Sequence, residues 1–324
     1  MKTKAIINLA LSVLPAVLCI PMSGCAPTRA FVRTGPSFSQ VVTQISHVGI
    51  INDVVLARDL VGTNDYFCIE DSKCAAAFML EDAKTYLTKK GYRVDFASTP
   101  FVGAFKNPDL KMNVACKYKD PINNRYSPFF ICNQLAQDEA YQQALTKVFR
   151  RILMAVEQKG DSPTEVFRRD PSVQENLKIV SERTHAEFVF IVIGNGTVVS
   201  TGKQIGQGLA TGLVTGLLSL GTVVVTAHSV SFLDSFVALV DLRNAEIVWS
   251  NSFRLRDLNP LKQGTYRGAW SKSLLYHFPA TGAGAGKHKS NVATPNDGQR
   301  IGAIANTAAQ AKVWKPESKS PETK

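Results

Sequence analysis

Carboxylates and histidines are scarce in this chain. Its 324 residues carry 26 Asp and Glu against 37 Lys and Arg, a formal net charge of +11. That balance favours anionic neighbours, such as nucleic acid, anionic lipid or acidic glycans. The five histidines, His47, His185, His228, His277 and His288, are scattered, and none has a metal-ligand spacing such as HExxH. No GxSxG elbow is present, which removes the commonest serine-hydrolase pattern. The stretch GAGAGKHK fails as a phosphate loop. Thr281 stands where the first glycine is needed, and His288 stands where a magnesium-holding Ser or Thr is needed. The chain therefore reads as a non-enzyme that works without cofactor or metal.

The opening residues, MKTKAIINLALSVLPAVLCIPMSGCAPT, have the layout of an export signal. Lys2 and Lys4 precede an apolar run from Ala5 to Ile20, and small residues follow. Met22-Ser23-Gly24-Cys25 resembles the bacterial lipobox, in which the cysteine is lipidated and becomes the first mature residue. The resemblance makes Cys25 the lipidation site and the bacterial membrane a partner through the lipid anchor. Several acyl chains together hold a protein firmly. No Asp follows Cys25, which favours the outer membrane, with the protein facing the periplasm. Nucleic acid is not an expected partner there.

After the signal and the anchor, Cys68, Cys74, Cys116 and Cys132 remain, an even number in an oxidising compartment. They read as disulfide candidates with three pairings open. Cys68–Cys74 and Cys116–Cys132 is the simplest, since each encloses a short loop. The spacings match no usual zinc pattern.

Hydrophobic periodicity predicts an α/β (α+β) fold, a mixed sheet with helices packed on it. ISHVGIINDVVL reads as a strand, and Ser72 is placed to cap a helix that runs to about Lys90 and ends at Gly91. YRVDF alternates as a strand does. A long amphipathic helix is predicted over 134–159, and a second begins at Asp170-Pro171. FVFIVI reads as a central strand closed by a Gly194-Asn195-Gly196 turn. Two strands joined at Arg243-Asn244-Ala245 follow, then a last helix over 265–277. The expected organisation is signal 1–24, tether 25–44, α/β domain 45–277 and a disordered basic tail 278–324.

Between Lys203 and Asp234 there is no charge. Within that glycine-rich apolar insertion, residues 205–227 are long enough to span a bilayer as a helix. Gly208, Gly212 and Gly216 have the small-residue spacing that lets helices approach closely. Thr222-Val223-Val224-Val225-Thr226 is strand-like instead. Packing on the fold, contact with a partner or another copy, and membrane insertion all remain open.

The order of elements, with Leu239, Val240, Asp241, Leu242, Glu246 and Trp249 in FVALVDLRNAEIVWSNSF, resembles a group of exported α/β lipoproteins. That group includes the curli secretion channel lipoprotein, and the N-terminal domain of TolB has a similar layout. The chain departs from the group at Ala245, where glycine is usual, and Asn244 is expected to take the left-handed conformation instead. The resemblance implies a subunit of an outer-membrane secretion, transport or surface-assembly complex, working within an envelope protein complex or by self-association. A ring-forming outer-membrane channel and a monomeric regulator of a peptidoglycan synthase are the alternatives. Replacing Cys25 by Ser is expected to abolish palmitate labelling and release the protein from membranes. Undiminished labelling of that variant would show that Cys25 is not the lipidated residue.

Overall fold

The computed structural model describes residues 31–59, 65–157, 163–200, 231–256 and 258–281. The signal, Cys25, the glycine stretch with Gly208, Gly212 and Gly216, and residues 282–324 lie outside the described residues. Among the described residues, ten strands form one mixed sheet with helices on both faces, so the fold is α/β as the periodicity predicts.

In chain order the elements are β1 (Phe31–Thr34), α1 (Phe38–Val41), β2 (His47–Asp59), β3 (Tyr66–Cys68), α2 (Ile69–Lys89) and β4 (Arg93–Val102). A loop-rich excursion holds β5 (Met112–Ala115), β6 (Asn123–Arg125) and β7 (Phe130–Ile131). Then come α3 (Glu139–Glu157), α4 (Pro163–Arg168), α5 (Ser172–Thr184), β8 (Phe188–Val199), β9 (Phe232–Asp241) and β10 (Glu246–Arg256). The last helix has three pieces, Gln263–Thr265, a π turn Tyr266–Trp270 and Ser271–Leu275.

β2 is the central strand. It pairs in parallel with β8 from Gly49–Val189 to Asp59–Val199. Its other edge pairs with β4 along its first half and with β3 at its end. Its side chains alternate between two cores. Ile51 and Val55 join Leu145, Phe149 and Val180 under α3, α4 and α5. Ile50, Val54 and Leu56 join Met79, Trp249 and Trp270 under α2 and the last helix. Both faces are covered, so β2 and β8 are buried at consecutive residues along most of their length rather than at alternate ones.

The end of α2 follows from its sequence. Gly91 adopts φ +91°, its N–H bonds to the Thr88 carbonyl, and the Tyr92 N–H reaches Leu87. This is a Schellman closure, which needs a residue without a Cβ at that position. At the N-terminus the expectation is corrected. α2 begins at Ile69, and Ser72 lies inside it, bonded through Oγ to the Cys68 carbonyl and to the Leu56 N–H.

Gly194-Asn195-Gly196 is not a turn. β8 runs straight through it, paired with β2 on one side and β9 on the other, and a Cβ on Gly196 would lie 2.5 Å from the Phe232 carbonyl oxygen. The β9–β10 turn also differs from expectation. Ala245, not Asn244, takes the left-handed conformation, with φ 49°. Asn244 is held from both ends by Asp241, which accepts its backbone N–H at 3.1 Å and its side-chain amide at 2.8 Å.

The domain is also wider than 45–277. β1, within the stretch read as a tether, pairs with Trp249–Ser252 of β10. Phe278, placed at the start of the tail, is fully buried between Phe190, Trp249 and Tyr92, at ring distances of 5.0, 5.2 and 5.3 Å. Beside it Lys90 Nζ donates to the carbonyls of Leu275 and Tyr276, each at 3.0 Å, and to that of Phe278. Burial pushes that ammonium down to about 8. Removing the ring by Phe278→Ala is expected to cost about 3–5 kcal/mol of stability in urea unfolding. A cost below about 1 kcal/mol would mean that the chain end is not part of the core.

Candidate functional site

All four described cysteines are free thiols, so neither expected disulfide is formed. The helix rules out the first pair. Cys68 immediately precedes α2 and Cys74 lies inside it, six residues on. At about 1.5 Å of rise per residue they are about 9 Å apart along the axis, beyond the Cα span of a disulfide, about 4.4–6.8 Å. Cys68 is buried, which pushes its thiol up to about 11, and its Sγ lies 3.9 Å from the Cys116 carbonyl oxygen. Cys116 sits at an exposed turn, where its Sγ accepts from Arg125 Nη2 at 3.7 Å. Cys132 packs against the core under α3 instead.

The structure brings together a polar group that motif spacing does not reveal. β2 passes by a crossover through α2 to β4 on one side. The chain then returns through α3, α4 and α5 to β8 on the other side. In open α/β sheets the point where the winding reverses, at the carboxyl ends of the strands, is the usual ligand crevice. Here only β4 ends, beside the middle of β2, and the chain packs its own side chains at that point. Asp53 is fully buried and accepts the N–H of Gly103 at 2.7 Å and of Phe105 at 3.3 Å, just beyond the end of β4. Lys106 is buried beside it. Its Nζ donates to Asn195 Oδ1 at 2.8 Å and lies 5.1 Å from the ring centres of both Phe67 and Phe105. Burial pushes the Asp53 carboxyl up to about 6 and the Lys106 ammonium down to about 8, while each charge favours the other. Neighbouring Asn52, facing the other core, donates to the Ala76 carbonyl at 2.7 Å and accepts from Thr99 at 2.5 Å.

The polar row continues across the sheet. Asp234 of β9 lies opposite Asn195 of β8 and Arg254 of β10. Asp234 is buried and takes both Nε and Nη2 of Arg254, whose guanidinium also covers the Phe232 ring at 5.3 Å. Geometrically this row is a lock. Lys106 fixes the 103–106 loop to β8, and the Asp234–Arg254 pair ties β9 to β10 beside it. Its side-chain groups are engaged by one another, and among the described residues no group of His, Cys, Asp and Glu could hold a metal ion. The one sequence signal for it was a polar residue at core-facing parity inside apolar runs, in IINDVV and SFLDSF.

Just past this row the sheet carries the root of the uncharged stretch. Thr197 and Phe232 are the last paired residues of β8 and β9. The Ser231 hydroxyl receives the Val199 N–H at 3.1 Å, and the Ser200 N–H reaches the Asp59 carbonyl at 3.0 Å. The chain therefore leaves at Ser200 and returns at Ser231 within one strand spacing. No described helix is long and apolar enough to cross a membrane.

No family model matches this chain, and no curated protein matches it. Among solved structures it is similar to a PelC dodecamer from Paraburkholderia phytofirmans in a single-substitution form. The identity is 9% and the TM-score 0.31, over 79% of this chain and 99% of that one. A second PelC dodecamer structure from the same organism gives 8% and 0.29, over 75% and 92%. TM-scores near 0.3 do not amount to a shared fold, and the dodecameric state belongs to those proteins.

The Asp53 carboxyl gives the polar row a pH signature. Its folded value of about 6 lies above its ordinary 3.8, so the folded state holds the proton more tightly. This group's stabilisation is fully present below about pH 4 and is lost as pH rises through about 6. Asp53→Asn is expected to remove that decline from a series of urea midpoints between those pH values. Superimposable slopes for parent and variant would contradict the raised carboxyl.

Proposed function

We propose that this chain is a lipid-anchored envelope lipoprotein, held at the outer membrane through Cys25. It acts as an accessory or structural subunit of a secretion, transport or surface-assembly complex. The export signal ending in Met22-Ser23-Gly24-Cys25 supports the anchor. The observation that carries the assembly role is the root of the uncharged stretch. Its two ends are held side by side by the last β8–β9 pair, Thr197 and Phe232. Ends this close are incompatible with entering a bilayer on one side and leaving on the other, about 30 Å away. The segment between them carries Gly208, Gly212 and Gly216, the small-residue spacing that suits contact with a membrane, a partner or another copy.

The same account makes the folded domain a platform rather than a reaction vessel. Lys106 is buried against Asn195 where β4 ends, and the Asp234–Arg254 pair braces β9 and β10 near the ends of the uncharged stretch. Deleting residues 205–221 is expected to abolish cross-linking of the protein into larger envelope species while palmitate labelling persists. An unchanged cross-linked ladder would overturn the assembly role of the stretch.

A further inference from the structure

We propose that the exposed face of the β5–β6 hairpin, presenting Leu110, Lys111, Tyr118, Lys119, Ile122 and Tyr126, rests on the headgroups of an anionic phospholipid membrane. The inference deepens the envelope reading above and rests on it for the membrane being within reach.

The hairpin register orients Ile122 and Tyr126, while Leu110 and Lys111 lead into β5 and Tyr118 and Lys119 lie in the turn between β5 and β6. Met112 pairs with Arg125 and Val114 with Asn123, so Ile122 and Tyr126 fall on the same face of β6. Val114, on the opposite face, enters the core under α3. On the Ile122 side, Ala115 joins only a small satellite cluster with Tyr66 and Cys68, separate from both main cores. This end of the sheet therefore has one face outside the main cores. Tyr126 is 52% exposed, Leu110 47%, Tyr118 45% and Ile122 39%, which makes them half of the large exposed hydrophobic side chains of the described residues. Chance scatter does not concentrate such residues in one short excursion.

The cations are arranged around the rings. Lys111 Nζ lies 5.3 Å from the Tyr126 ring centre. Arg58 and Lys119 lie 4.6 and 5.4 Å from that of Tyr118. Between Leu110 and Tyr126 there are four cations and one carboxylate, Asp120. Asp120 is engaged with the Lys117 N–H at 3.0 Å, and Arg58 is paired with Asp71. Lys119 is held at φ 71°, where glycine or asparagine is the usual occupant, and its N–H bonds to the Tyr66 hydroxyl at 3.3 Å. Backbone strain of this kind is retained where the surroundings impose it.

A flat aromatic platform for sugar rings needs its faces free, and here cations lie over both tyrosines. Amphipathic tyrosines, lysines that reach for phosphate, and the aliphatic tips of Leu110 and Ile122 suit the depth profile of a bilayer interface instead. The location agrees. Arg58 directly precedes Asp59, whose carbonyl anchors Ser200, so this face lies at the end of the sheet from which the uncharged excursion leaves.

The test uses the full chain carrying Cys25→Ser, so that binding does not depend on the anchor. Co-sedimentation is compared for phosphatidylcholine vesicles with and without phosphatidylglycerol. Binding is expected only with phosphatidylglycerol, as a reversible contact that washing removes, so the anchorless chain is still released from cell membranes. The pair Lys111→Glu and Lys119→Glu is expected to weaken it about tenfold or more. Leu110→Ser with Ile122→Ser provides a second, uncharged probe and is also expected to weaken it, with circular dichroism confirming the fold of both. Equal binding by parent and both variants would overturn the proposal. So would binding that ignores phosphatidylglycerol, or phosphatidylglycerol binding displaced by a soluble acidic polysaccharide at matched ionic strength. Self-association through the hairpin without vesicle binding would overturn it as well. Palmitate labelling of the chain with Cys25 intact tests the anchor separately, so either reading can fail alone.

Discussion

The parallel pairing of β2 with β8 constrains the rest of the molecule. It holds without a break from Gly49–Val189 to Asp59–Val199, and both strands have both faces buried. A strand used on two edges and two faces leaves little freedom to its neighbours. β4 and β3 must share its outer edge in succession, and helices must cover both sides. The same register carries β8 well past the end of β4. This is why the excursion after Ser200 begins beside Arg58 and Asp59 rather than over the helices.

Polar residues appear inside this apolar frame only where partners are fixed. An uncompensated Asp53 in the sheet would be costly, and two loop N–H groups with the nearby Lys106 ammonium offset that cost. In return the loop that closes β4 is pinned across β2 to Asn195. The Asp234–Arg254 pair does the same for β9 and β10. Together these contacts stiffen the end of the sheet where Ser200 and Ser231 lie.

Much of the fold was legible in the sequence, because apolar periodicity and end signals act locally. FVFIVI, the stripe over α3, the glycine that closes α2 and the β9–β10 hairpin are of this kind. The misread positions are those where a distant strand decides. Gly194-Asn195-Gly196 has turn chemistry, but β2 and β9 pair on either side of it and extend it. Phe278 precedes a tail of small and polar residues, and its burial depends on Tyr92, Phe190 and Trp249, each far away in sequence. The even cysteine count suggested short-loop disulfides, whereas a continuous helix separates Cys68 from Cys74. The polar row was hidden for the same reason: its members come from β2, the loop after β4, β8, β9 and β10.

The proposed role in an envelope assembly rests on a sheet stiffened at one end, with Ser200 and Ser231 side by side there. The most direct measurement is the mass of the full-length protein extracted in mild detergent, by light scattering corrected for bound detergent. The account predicts a particle several times the mass of one chain, either as multiple copies or with a partner. A single chain, fully lipidated and folded, with nothing bound to it, would contradict it.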